Sequence, residues 1–367
     1  MLIKTFFIKT TIFILGLIIL DLCFSQVAKR LAPHWRNSVL EQDARILLKP
    51  YHHGLKPYAN FIHKFGDLSA PFYTNSLGFR DRSTREVLLN RDGRRLLIIG
   101  DSITEGVGLP YEQTFAGIID RELKKQGIET LNSAVQSYAH LIYKSKITYF
   151  IEKKKLQVTD VAVFLDIGDV ANDVSQYKKD KEGNVVRVKI NCRYGIGCHM
   201  RPMKRFKFWL KDNSILYRAY KILKAYKLEV KDRSAVISPL ESATNVPGAL
   251  WTFDEKEYNE YGKKGLKIAS DALTELREVL RRHNITMTVV VYPWPDQIVK
   301  RDLNSRQVKF WKTWALKNNA NFLNLFPSFI NRTPAEEVYK NFFIPHDFHF
   351  NKQGHELVAE EFLENWY

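Results

Sequence analysis

Three residues near opposite ends of the chain have the types and spacing for nucleophilic chemistry. Ser102 stands in Gly100-Asp101-Ser102, directly after the apolar run Leu96-Leu97-Ile98-Ile99. Such a run reads as a buried strand, which Gly100 ends. A serine just past a buried strand points into the crevice outside the carboxyl end of an α/β sheet, where these sheets bind ligands. Its hydroxyl is a weak nucleophile until a base takes its proton, and the base needs an orienting carboxylate. Pro345-His346-Asp347-Phe348-His349-Phe350 offers both. Asp347 and His349 sit two apart in a loop before the helical pattern Leu357–Leu363, so both can face one site while Phe348 and Phe350 point elsewhere. Taken alone, Gly-Asp-Ser is equally a simple turn, because all three residue types favour turns. His346 and His355 flank the base and raise a metal reading, but their spacing fits no metal motif.

The elements that must hold these residues follow the chain. Ile128–Leu131 reads as a short strand and Val161–Leu165 as a buried one. The latter ends at Asp166-Ile167-Gly168-Asp169-Val170-Ala171-Asn172-Asp173. Thr252-x-x-Glu255 reads as a capping box opening a long helix to about Arg282. Met287–Tyr292 is the next strand, followed by a helix near 307–317 and a strand over 321–325. Strands alternating with helices indicate an α/β domain.

The Gly-Asp-Ser block at one end and the Asp-x-His block at the other resemble the SGNH/GDSL hydrolase superfamily. Thr74-Asn75-Ser76-Leu77-Gly78-Phe79-Arg80 resembles the stretch that precedes the serine in membrane-anchored members. The resemblance covers roughly residues 94–174 and 250–365. It implies a three-layer flavodoxin-like fold with a central parallel sheet, and a serine esterase that uses no cofactor and no metal. Ser102 would attack, His349 would act as base and then acid, and Asp347 would orient it. The resemblance also implies an oxyanion hole. Ser102 supplies one backbone N–H. The glycine of the second block is replaced by Ala134, which keeps its N–H. The third block, Gly-x-Asn-Asp, corresponds to Asp166-Ile167-Gly168-Asp169, so its asparagine is missing, and Asn172, four residues on, is the candidate to reach in. The implied substrate is an ester, with O-acetyl groups of an envelope or exported glycan in first place. A polysaccharide O-acetyltransferase and a catalytically weak glycan-binding or assembly protein are the alternatives.

Composition frames these readings. The 367 residues carry a net charge of +16 and are 45% hydrophobic, a globular composition. No zinc-finger or RNP signature accompanies the charge, so nucleic acid is not an expected partner. Residues 1–30 are expected to be an uncleaved, single-pass membrane anchor, with an apolar run that continues to about Phe24 and Val27 and is broken by Asp21. The domain is then expected outside the cytoplasm, on the periplasmic side. Lys4 and Lys9 on one flank, and Lys29 and Arg30 on the other, leave the orientation undecided by charge. Residues 31–93 read as a connecting arm in which His52-His53 are surface histidines. Residues 94–367 form the hydrolase domain, interrupted by a basic insert over 175–250. From Lys178 to Arg233, 17 Lys/Arg face 5 Asp/Glu, which is +12 of the chain's +16. This insert is a solvated face, a contact for an anionic polymer or anionic lipid, or a lid over the site. Within it Lys181-Glu182-Gly183-Asn184 reads as a hairpin turn. Cys192 and Cys198 are either a short-loop disulfide, favoured if the domain is exported, or reduced small residues.

Overall fold

The structure is a computed structural model that describes residues 2–31, 44–66, 68–188, 210, 213–217, 219–220, 223, 238–332 and 334–366. The chain divides into two compact units, residues 1–43 with 199–237 and residues 44–198 with 238–367.

The second unit contains an eight-stranded sheet. Its parallel part comprises β6 (Arg95–Ile99), β7 (Glu129–Asn132), β8 (Asp160–Leu165), β11 (Thr286–Val291) and β12 (Asn321–Asn324). Every residue of β6 and β8 is buried, and so is all of β11 after Thr286. Uninterrupted Leu, Ile and Val runs are what a strand needs when helices cover both faces of its sheet. The parallel strands lie in the order β7-β6-β8-β11-β12, the doubly wound order in which the first strand is flanked by the second and third. The chain therefore changes direction across the sheet between β6 and β8, and the crevice opens there, at their carboxyl ends. Ser102 follows β6 and Asp166 follows β8.

Helices pack in two groups. Lys263–Arg282 lies against His140–Thr148 and Asp169–Ser175, and Lys352–Asn365 lies against Phe115–Lys124. Leu266, Ala269, Leu273, Leu276 and Leu280 give the first of these helices its buried stripe, at three- and four-residue spacing. Its approach differs from the expected Thr252 capping box. Thr252 closes a 3-10 turn, and Asp254 caps the following turn by accepting the Glu257 N–H at 2.9 Å. The Thr252 hydroxyl instead donates to the Ala249 carbonyl at 2.7 Å and accepts from Gln297 Nε2 at 2.9 Å.

The stretch expected to be a connecting arm builds structure of its own. β3 (Asn60–Phe65), β4 (Leu68–Thr74) and β5 (Arg80–Asp81) extend the sheet antiparallel beyond β7, joined through the Arg80↔Asn132 pair. Two hairpins stand apart from the sheet, β1 (Arg45–Leu48) with β2 (His52–Leu55) and β9 (Tyr177–Lys179) with β10 (Val185–Arg187). The second turns at Gly183, whose φ of +83° suits glycine.

The other unit contains a helix over Leu2–Leu31. Asp21 lies inside its apolar run and accepts the backbone N–H groups of Ile215 and Leu216 at 2.9 and 3.1 Å. Among the described residues no helix is long and apolar enough to cross a membrane, so the expected spanning segment is not found there. Cys192 and Cys198, on which the disulfide expectation rests, lie outside the described residues, as do most of the basic residues of the insert.

Candidate active site

The loop after β6 turns directly into a short helix, Ser102–Glu105. The Asp101 carboxylate caps it by accepting the Ile103 N–H at 3.0 Å, and Gly106 closes it at φ +76°. This presents the Ser102 hydroxyl at the crevice. The His349 Nε2 lies 2.8 Å from Ser102 Oγ, and His349 Nδ1 lies 2.5 Å from Asp347 Oδ1. An Nδ1–H donating to Asp347 leaves Nε2 free to accept the serine proton, the tautomer a general base needs. Asp347 Oδ1 also accepts the His349 backbone N–H at 3.0 Å, which fixes the carboxylate to its own loop. Burial alone would raise the Asp347 carboxyl, but the hydrogen bond and charge of His349 outweigh it and hold the carboxyl below its ordinary value.

The histidine loop is seated by aromatic packing. Phe348 stacks on Trp294 with centroids 4.1 Å apart, Phe350 is buried in the core, and the Phe65 ring meets His349 edge-on at 4.9 Å. The two flanking histidines do not converge on a metal. His346 Nδ1 pairs with Ser242 Oγ at 2.8 Å, and His355 Nδ1 accepts the Phe115 N–H at 3.1 Å.

Arg80 explains the Thr-Asn-Ser-x-Gly-Phe-Arg stretch. Its fully buried guanidinium donates to the carbonyls of Glu105, Gly106 and Leu109, clamping the segment that follows the nucleophile. Asn75 shapes the approach by accepting the Leu77 and Phe79 N–H groups at 3.0 and 3.2 Å. Gly78 has φ +70°, and a Cβ there would meet the Leu55 carbonyl at 2.3 Å. Lys146, also buried, donates to the Ser133 carbonyl at 2.7 Å and to Tyr138 Oη at 2.9 Å, steadying the backbone before Ala134. Burial lowers its ammonium to about 7, against the opposing pull of Glu105.

Beneath the serine lies a feature that the sequence reading missed. Oxygens of Asp101, Asp166 and Asp169 come within 4.8 Å of one another, all buried. Among the described residues this is the one group close enough to hold a cation. Burial pushes all three carboxyls up, and mutual repulsion pushes Asp166 and Asp169 further. Asp166 accepts from Trp294 Nε1 at 2.8 Å and the Gly168 N–H at 2.7 Å, and Asp169 accepts from Tyr143 Oη at 2.6 Å. Asp101 Oδ2 lies 3.1 Å from Ser102 Oγ, so Asp101 and His349 compete for one serine proton. Neutralising Asp101 removes that competition, because its O–H can then donate to the serine. The signal for this cluster is Asp166-Ile167-Gly168-Asp169 itself, whose carboxylates mean little until β6 and β8 lie side by side.

The expected oxyanion donors fare differently. Ala134 is buried beside the site, but its N–H donates to Asn132 Oδ1 at 3.1 Å. Asn172 sits on the helix Asp169–Ser175, and its carboxamide oxygen accepts from Gln176 Nε2 at 2.5 Å, one turn along the same helix. The structure thus brings Ser102, His349 and Asp347 together and gives the Asn172 carboxamide oxygen a partner in Gln176.

No protein-family model matches the chain, and no curated protein matches it. Among solved structures it is similar to a psychrotrophic esterase from Pseudoalteromonas sp. inhibited by monoethylphosphonate, at 12% identity and a TM-score of 0.39, covering 74% of this chain and 96% of that one. It is similar to a G-D-S-L family lipolytic protein from Veillonella parvula at 12% identity and a TM-score of 0.39, covering 75% and 98%. It is also similar to an acetylxylan esterase from Geobacillus stearothermophilus at 13% identity and a TM-score of 0.39, covering 76% and 95%. Within the chain itself, the strand order β7-β6-β8-β11-β12, the serine after β6 and the Asp347–His349 pair before the last helix form the arrangement that the resemblance to SGNH/GDSL hydrolases implies.

Proposed function

We propose that the chain is a serine esterase that cleaves acyl esters, with O-acetyl groups of an envelope or exported glycan as the substrate class. The observation that carries this reading is the relay Asp347–His349–Ser102, closed at 2.5 and 2.8 Å. His349 Nε2 takes the serine proton as Oγ attacks the acyl carbon. On this reading the Ser102 backbone N–H meets the developing oxyanion, since the neighbouring Ile103 N–H is already given to Asp101. His349 then protonates the departing alkoxide, and water attacking the acyl-serine repeats the sequence in reverse order of roles. A sugar hydroxyl replacing that water would make the same site an acetyltransferase.

One observation favours a slower catalyst or a glycan-binding protein on this fold. The Ala134 N–H is occupied by Asn132, and no asparagine side chain stands at Gly168. A missing oxyanion donor costs about 10²–10³ in rate. The working location outside the cytoplasm rests on the apolar segment before residue 30. It is tested by a reporter fused at Tyr367, which should be active only if exported.

The decisive experiment treats the full chain with a serine-directed phosphonate and maps the adduct, alongside turnover of a chromogenic acetyl ester. An adduct on Ser102 with turnover abolished in Ser102→Ala supports the esterase. Full turnover in folded Ser102→Ala would overturn Ser102 as the nucleophile, and no adduct with no turnover in the parent chain would leave the binding-protein reading.

A further inference from the structure

A cleft of about 350 Å³ opens between the two hairpins, lined among others by Arg45, His52, His53, Gln136, Tyr177 and Arg187. Two of its lining residues hold the segment that carries the nucleophile. Arg45 Nη2 reaches Glu105 at 3.0 Å, and Glu105 also accepts the Gln136 N–H at 2.6 Å. Glu105 ends the short helix that Ser102 begins, about 4.5 Å along its axis. Gln136 lies two residues past Ala134.

We propose that the cleft binds an anionic sugar unit of the substrate, its charge carried as carboxylate or sulfate; this rests on the glycan-esterase reading above. Four features support it. Arg45 is held by one nitrogen only, and its buried Nε has no hydrogen-bond partner among the described residues. A buried guanidinium N–H without an acceptor is costly, and an oxyanion supplies one in the planar geometry that guanidinium favours. Arg187 adds a second positive charge on the opposite hairpin. The histidine pair supplies the opposite polarity. His53 Nε2 lies 3.1 Å from the Gln136 carbonyl, so it carries the proton, and His53 Nδ1 must accept from His52 Nδ1 at 2.7 Å. His52 Nε2 is then an acceptor suited to a sugar hydroxyl. Burial keeps both rings neutral, with Arg187 adding to the effect at His52. Two residues of the lining, His52 and Ser137, hold left-handed φ values of 69° and 66°, a conformation disfavoured for non-glycine side chains and common at binding sites.

The test is calorimetric binding of unesterified oligosaccharides to the full chain, which needs no turnover. The probes are tetragalacturonate, a sulfated galactan tetrasaccharide, xylotetraose and inorganic sulfate. One charged tetrasaccharide should bind at least about tenfold tighter than xylotetraose and weaken with salt, and whichever binds identifies the charge. Arg187→Gln, at an exposed strand end, should weaken it about tenfold and Arg187→Glu further. Equal binding of charged and neutral tetrasaccharides, an unchanged affinity in Arg187→Glu, or inorganic sulfate binding as tightly as the oligosaccharide would each overturn the proposal. In parallel, the ratio of kcat/KM on an acetylated charged oligosaccharide to that on 4-nitrophenyl acetate should fall about tenfold in Arg187→Gln. Charged-sugar binding without any esterase activity would defeat the function proposed above and leave the cleft assignment standing. Esterase activity without charged-sugar binding would do the reverse.

Discussion

Trp294 donates its indole N–H to Asp166 at 2.8 Å, and the two side chains close the space beside Gly168. The resemblance puts an asparagine at this position. Here a Cβ on residue 168 would lie 3.0 Å from Asp166 Oδ1 and 3.0 Å from the Trp294 ring. The third block therefore carries a buried carboxyl clasped by an indole, and the same indole seats Phe348 next to the base.

Gly168→Asn should therefore fail to restore an oxyanion donor. Forcing a side chain against Trp294 costs about 1–3 kcal/mol, read as a lower thermal midpoint, and esterase turnover should not rise. A gain in turnover at unchanged midpoint would mean that the space opens at little cost.

The relay predicts an ordered set of losses. Ser102→Ala and His349→Ala should each reduce turnover by at least about 10³-fold, with the double variant scarcely worse, because members of a triad act as a unit. Asp347→Asn should also be severe, since the amide favours the wrong imidazole tautomer. Asn172→Ala should stay within about twofold, because the carboxamide is held by Gln176. Steady-state kinetics on an acetyl ester check all five; a loss near 10²-fold in Asn172→Ala would put its side chain in the site.

Acid should unfold the domain early. Burial lowers His53 and His355 to about 3 and His63 to about 4, against 6.5 when unfolded. Below pH 6.5 the unfolded chain takes up protons that the folded one refuses. Stability is complete above pH 6.5 and falls as pH drops, by about 1.4 kcal/mol per pH unit for each fully coupled histidine. Urea midpoints measured from pH 7 to pH 5 should decline, and less steeply in His355→Gln, which keeps an acceptor for the Phe115 N–H. Parallel slopes for parent and variant would remove His355 from the account.

Lys146 acts in the opposite window. Its folded value of about 7 lies below the ordinary 10.5, so the unfolded chain holds the extra proton between these limits. The cost of burying it is therefore largest below pH 7 and is relieved as pH rises toward 10.5. The stability difference between parent and Lys146→Met should shift in favour of the parent from pH 6.5 to 9.5. A difference independent of pH would mean that the ammonium stays charged, held by the Tyr138, Phe79 and Tyr51 rings at 4.8, 5.1 and 5.5 Å.

Much of the scaffold was legible because it is local. Leu96–Ile99, Val161–Leu165 and Met287–Val291 announce buried strands by composition alone, and a serine after the first of them has few places to point. The long helix was legible from its apolar spacing, but its start was not. Thr252 and Asp254 are both good caps, and only the carbonyl of Ala249 and the amide of Gln297 draw Thr252 away.

The sequence by itself determined the α/β alternation, the positions of Ser102, Asp347 and His349 in loops beside helices, and the basic character of the insert, since each depends on residue type and near-neighbour spacing. Only the tertiary structure decided what these residues face. Arg80 clamps the nucleophile segment from 25 residues upstream, and His349 reaches Ser102 across 247 residues. The carboxylates of Asp101, Asp166 and Asp169 meet because β6 and β8 are neighbours at the switch in strand order. His52 and His53, which look like surface histidines in the chain, become a proton-ordered pair because the Gln136 carbonyl stands beside them. Charge and hydrogen-bond partnerships of this kind are set by distance in space, and a polar residue's type does not say which partner the folded chain will bring to it.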